Sequence, residues 1–180
     1  MLITIRDLQR WKKNAVLLAD KLGLDTSVLN LDKVYLDVIP RRASPSDIGG
    51  WYGFTHYSTG KVLIEVYREN IASDSPEIVR VGLSSLGMPE NIIDKVMTAY
   101  AKITPEEFYE IYNQSGMDHE LIGHAYHYLK NENCDESIAV KEQLRFAQIR
   151  AKSSKSWKII SEIMPTVLGY IKGIDELKEK

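Results

Sequence analysis

Two histidines five residues apart, in a stretch that otherwise reads as helix, constrain this chain more than any other feature. They are His119 and His124, within residues 118–129 (DHELIGHAYHYL). A regular α-helix turns about 100° per residue, so side chains five apart diverge by roughly 140°. For both imidazoles to face one partner the helix must be locally wide. A one-residue π-bulge does this, such bulges are frequent at functional sites, and Gly123 is a permissive place for the backbone change. The same stretch contains His127, so it holds three of the four histidines, with Glu120 beside the first. Neutral imidazole is the commonest protein metal ligand, and a carboxylate next to metal-activated water is a proton acceptor in hydrolysis. The chemistry this pattern points to is one Zn2+ ion with Glu120 as general base.

With 180 residues, 44% of them hydrophobic, the chain suits one well-buried core, and a single domain over residues 1–180 is expected. The formal net charge of −2, without a block of like charge, gives no electrostatic footprint for nucleic acid or a membrane surface. The one cysteine, Cys134, excludes a disulfide scaffold and is compatible with a reducing compartment, so a cytoplasmic address is expected. No apolar run reaches the roughly 18 to 20 residues of a membrane helix, and the opening MLITIRDLQRWKK lacks the apolar centre of a secretory signal. Signal-independent secretion is the other route open to such a chain.

Apolar residues Leu8, Trp11, Ala15, Leu18 and Leu22 recur at helical spacing from Asp7, and Gly23 follows as a stop. Alternation over 33–39, closed by Pro40, marks a strand, and the β-rich runs 51–57 and 61–67 around Ser58-Thr59-Gly60 read as a hairpin. A loop with Pro45 and Gly49-Gly50 joins them, and a small antiparallel sheet of about three strands results. From Ser75-Pro76 onward the signal is helical. Thr104-Pro105-Glu106-Glu107 is a capping box, Gly116 ends that helix, and Asp118 caps the histidine helix. Asp135 opens the next helix, and Pro165 should kink the last one. The fold class is α+β, with the sheet in the N-terminal half packed against a mainly helical C-terminal half.

HELIGH resembles the HExxGH motif of the dipeptidyl peptidase III family of zinc exopeptidases, which are of the gluzincin type. In that family the two histidines bind zinc, the glutamate activates water, and a downstream E-E-x-x-A-E/D helix supplies a third ligand. Asp135-Glu136-Ser137-Ile138-Ala139-Val140 is similar, with Glu136 and Ala139 in the matching places and Asp135 and Val140 where the family has acids. A partial similarity also exists to small zinc metallopeptidase effectors that bacteria deliver into host cells. It rests on His124-Ala125-Tyr126-His127 and on Glu136, Ala139, Val140, Glu142 and Arg145. Both resemblances imply a zincin-like fold and a glutamate ligand on the helix after the histidines. On that helix Glu136 shares a face with Ala139, Val140, Gln143 and Ala147, whereas Glu142 projects about 120° away and can pair with Arg145; this favours Glu136.

The reading that follows is a zinc metallopeptidase acting on a peptide or protein substrate, with His119, His124 and Glu136 on the metal. His127, Glu142 and Tyr126 are then supporting or substrate-contacting residues, and Tyr126, Tyr112 or Tyr100 is a candidate to polarise the carbonyl. On an unbulged helix Glu120, His124 and His127 would share a face and form an alternative ligand set. His56 reads as an exposed strand residue, Trp11, Trp51 and Trp157 as core, and Cys134 as a small buried residue or a latent ligand. Extended substrate is expected to add to an edge strand, assigned to 61–67. The competing classes are a non-enzymatic helical interaction or metal-binding protein and a metal-dependent hydrolase of a non-peptide bond.

Overall fold

The computed structural model describes residues 1–43 and 52–178. Helix α1 (Ile5–Lys21) is capped by Thr4, whose hydroxyl accepts from the Asp7 N–H while Asp7 accepts from the Thr4 N–H. Three strands follow, β1 (Val34–Arg42), β2 (Gly53–Ser58) and β3 (Lys61–Glu69). Helices α2 (Pro76–Ser85), α3 (Glu90–Tyr100) and α4 (Pro105–Met117) come next. The chain continues through a π-helical segment (Asp118–Tyr126) and a last α-turn, α5 (His127–Leu129). Helices α6 (Glu136–Ala151), α7 (Lys155–Lys172) and α8 (Asp175–Lys178) complete it. The class is α+β, as expected from the order of signals. The loop with Pro45 and Gly49-Gly50, and Trp51, lie outside the described residues. Among the described residues no helix is long and apolar enough to cross a membrane.

The sheet is mixed rather than antiparallel. Its order is β1-β3-β2, with β3 antiparallel to β2 and parallel to β1. The hairpin therefore docks on β1 through its second strand, and residues 61–67 are central, so they cannot be the edge strand expected from the sequence. Composition explains the order. On β3, Val62, Ile64, Val66 and Tyr67 are all at most 1% exposed, so this strand needs cover on both sides. On β2, Thr55, His56 and Ser58 suit an edge.

The second difference concerns Gly116, which ends nothing. Asp118 has helical backbone angles, so residues 105–129 form one continuous rod. Gly116 serves a packing need instead: a Cβ there would lie 2.5 Å from the Tyr52 ring. Asp118 is not a cap either. It is 1% exposed, receives the Arg150 guanidinium through two hydrogen bonds of 2.8 and 3.2 Å, and accepts another from Gln114. Gln114 also donates to the Trp11 carbonyl and accepts from Asn14, which ties α1, the rod and α6 together.

One core joins α1, the sheet and the π segment; it contains Trp11, Ile64, Met117, Leu121, Ile122 and Phe146. A second lies among α4, α6 and α7, and a third where α2 and α3 meet α7. Trp157 is half-buried beneath the Arg150 guanidinium, and α7 runs on through Pro165 to Gly173, which closes it in the left-handed conformation.

Arg150→Met should destabilise the protein by about 3 kcal/mol, because it leaves the buried Asp118 without its counter-charge. Urea denaturation at neutral pH checks this, with circular dichroism as the readout.

Candidate metal centre

Hydrogen bonds in a π-helix run from i to i+5, so residues five apart become neighbours on one face, as residues four apart do in an α-helix. The segment Asp118–Tyr126 is wound this way over its whole length, more than the single bulge expected. Three successive polar side chains hold it from different directions. Asp118 is tied to Arg150 on α6, His119 to Gln143 on α6, and Glu120 to Thr55 on β2. With the apolar residues Met117, Leu121 and Ile122 fully buried as well, little of the segment meets solvent.

The widening brings the imidazoles of His119 and His124 together, with ring centres 4.9 Å apart and planes at 79°. Glu136, the first residue of α6, faces both. Its Oε1 is 3.1 Å from His119 Nε2 and its Oε2 3.4 Å from His124 Nε2. Asp135 caps α6 by accepting from the Ile138 N–H, which fixes where Glu136 leaves the turn. The close approach of the two helices depends on Gly123. A Cβ there would fall 2.4 Å from Ala139 Cα, so the glycine matters for helix contact and not, as the sequence suggests, for backbone freedom.

Both Nδ1 atoms are already engaged. His119 Nδ1 donates to Gln143 Oε1 at 3.1 Å, and His124 Nδ1 donates to the Cys134 carbonyl at 2.7 Å. Carbonyl oxygens only accept, so each Nδ1 carries a proton and each Nε2 of a neutral ring presents a lone pair. In neutral rings those lone pairs face the carboxylate, and a proton on an imidazole or a metal ion among the three groups turns the contact into attraction. Glu136 is 44% exposed as a side chain, yet its Oε1 is closed off from solvent and accepts no well-aligned hydrogen bond. The Lys172 ammonium at the end of α7 supplies one charge, 2.7 Å from that oxygen.

Burial would push the Glu136 carboxyl up, but its contacts with the His119 and His124 imidazoles, when these are protonated, and with the Lys172 ammonium hold it well below the usual carboxylate range. Burial pushes the His124 imidazole down, and Glu136, Glu120 and the Cys134 carbonyl outweigh that, so it lies above its ordinary value. Both shifts describe a site that attracts cations. Among the described residues, His119, His124 and Glu136 are the one group of three such side chains whose ligand atoms lie within 4.8 Å of one another and could hold a metal ion. Two imidazole nitrogens and one carboxylate oxygen fit a borderline ion such as zinc.

Glu120 lies next to this group, 6% exposed, with Thr55 Oγ1 donating to its Oε2 at 2.5 Å. The alternative set of Glu120, His124 and His127 is not brought together; His127 points to Glu132, 2.7 Å away, and packs edge-on against Tyr126. Glu142 pairs with Arg145, and exposed His56 pairs with Glu65 across the hairpin. Tyr126 is in the main core, and Tyr100 stacks edge-on against Phe108. Cys134 is half-buried, and its thiol lies beside the Tyr57 hydroxyl.

Sequence reasoning misses three contributors. Gln143 orients His119, and its own amide donates to Ser115 at 2.9 Å; its place on the Glu136 face of α6 was the available signal. Lys172 reaches the site from a helix remote in sequence, and no local pattern marks it. Tyr57, on edge strand β2 with its ring 4.6 Å from that of Tyr128, has its pKa raised by burial, by Cys134 and by the charges of Glu120 and Glu136. Comparison with protein-family models, curated proteins and solved structures yields no match for the chain.

Two variants test the construction. Gly123→Ala should cost about 1–3 kcal/mol in denaturation and weaken zinc binding, since α6 and Glu136 must move away from the histidines. Gln143→Leu should keep the fold and lower zinc affinity about 10- to 100-fold in competition titration, because His119 loses the partner that sets its tautomer and orientation.

Proposed function

We propose that this chain is a zinc-dependent metallopeptidase that hydrolyses peptide bonds. The observation that carries the reading is the convergence of two Nδ1-anchored imidazoles and Glu136, with a second, tethered carboxylate on Glu120 beside them. In this reading His119, His124 and Glu136 hold one Zn2+ ion, a gluzincin-type ligand set, and the α+β fold is of the zincin-like kind. Bound zinc would supply Lewis acidity, polarising the scissile carbonyl and bringing proton loss from water into the neutral range.

Glu120 takes the proton from the attacking water and returns it to the departing amide nitrogen. The Thr55 hydroxyl fixes one oxygen of that carboxylate and thereby its orientation. Burial, the neighbouring Cys134 and the charges of Glu120 and Glu136 keep Tyr57 protonated, which suits its hydroxyl to donate to the carbonyl oxygen as charge builds there. Edge strand β2 carries Thr55 and Tyr57, and an extended substrate would add alongside it through main-chain hydrogen bonds. A cytoplasmic setting accompanies this reading, because the lone Cys134 needs no oxidising compartment.

The test is metal analysis of the purified protein together with peptide hydrolysis by wild type and Glu120→Gln. Expected are one zinc per chain in both and a fall in kcat of about 10²- to 10⁴-fold in the variant. A folded wild-type protein that takes up no zinc and cleaves no peptide would overturn the reading. Parallel ester and phosphodiester substrates distinguish a hydrolase of another bond.

A further inference from the structure

A cavity of about 160 Å³ adjoins the candidate centre. His119, Glu120, Gln143 and Lys172 contribute to its wall, so it shares two residues with the proposed ligand and base set. The rest of the lining is almost wholly apolar and comes mainly from α2, α3, α4 and α7, with Val79, Leu83, Val96, Phe108 and Val167 among the residues. It falls between the second and third cores, where helices that pack well elsewhere leave a gap. A largely apolar cavity of this size accepts a guest about as large as benzene. Its walls lack contact atoms on one side, and a guest restores them.

One polar group on the wall is left over. The Tyr52 hydroxyl is shielded from solvent and has no hydrogen-bond partner among the described residues. Its ring rests on Gly116, one helical turn before Glu120, so the spare donor belongs to the same neighbourhood as the proposed base. An unmet buried hydroxyl is satisfied when something bearing an acceptor enters.

We propose that this cavity takes one bulky apolar side chain of the substrate, of leucine to phenylalanine size, with the Tyr52 hydroxyl donating to a carbonyl of the same residue. The identity of the guest rests on the peptidase reading above; the cavity, its lining and the unpaired hydroxyl do not. A carboxylate side chain is excluded because the lining is almost wholly apolar, Glu120 on the wall repels it, and the Lys172 ammonium is already paired with Glu136. Alanine leaves most of the space unfilled.

The experiment is an NMR titration of the zinc-supplemented full chain, labelled at methyl groups, with four probes. These are the N-acetyl amides of leucine, phenylalanine, alanine and aspartate. The leucine and phenylalanine probes should shift the methyl signals of Leu83, Val96 and Val167 and bind at least tenfold more tightly than the alanine and aspartate probes. Val167→Phe, which fills the space from α7, should lose that selectivity, and Tyr52→Phe should weaken all four probes alike. If Val167→Phe does not fold, Leu83→Phe fills the cavity from α2 instead. Equal affinity for the four probes, shifts confined to other regions, or undiminished binding in the filled variants would overturn the proposal. Selective binding without any peptide hydrolysis upholds the apolar site and removes the peptidase reading. Hydrolysis indifferent to leucine, phenylalanine, alanine or aspartate beside the cut bond does the reverse.

Discussion

Two imidazole nitrogens and one carboxylate are held within 4.8 Å of one another, and without a proton or a metal ion among them their lone pairs repel. The repulsion grows as water is excluded, because the local dielectric falls. Lys172 sits on Oε1, the oxygen that faces His119, and leaves Oε2 facing His124 without it. His124 responds by binding a proton more tightly than an ordinary histidine. That affinity for a proton and an affinity for a metal ion have the same electrostatic origin.

Holding such a group together takes rigidity on two sides. On one side the rod of residues 105–129 changes its winding midway, and each of Asp118, His119 and Glu120 is anchored to a different neighbour. On the other, α6 begins at a capped turn, so Glu136 has little freedom to retreat. Gly123 and Ala139 set the spacing between the two, and the network from Asn14 through Gln114 to Arg150 ties that pair to α1. Polar groups buried together in this way are stable only when nearly all are satisfied, and most here are.

Local signals in the sequence were informative where the physics is local. The capping box at Thr104 and Glu107, the cap at Asp135 and the helical periodicities all correspond to observed elements. The five-residue spacing of His119 and His124 demanded a wide helix, and the helix is wide there, over two turns where one extra residue would have met the demand. What depended on distant partners was not legible. Gly116 reads as a stop because glycine often is one, but its role is set by Tyr52, far away along the chain. The order of the strands was open to a reading from β3, whose apolar residues occupy both faces, though nothing in a hairpin signal states which strand meets β1. Tyr52, Tyr57 and Lys172 enter the site only once the chain has folded.

The two histidines are aligned by different kinds of partner. His119 answers to a side chain, that of Gln143, and His124 to the main-chain carbonyl of Cys134. Every amino acid at position 134 brings a carbonyl, so drift at that codon leaves His124 aligned as long as the turn keeps its shape. Position 143 has no such protection. One imidazole is thus insulated from mutation while the other is adjustable, and selection could tune the strength of the site through a single residue without disturbing the rest of it.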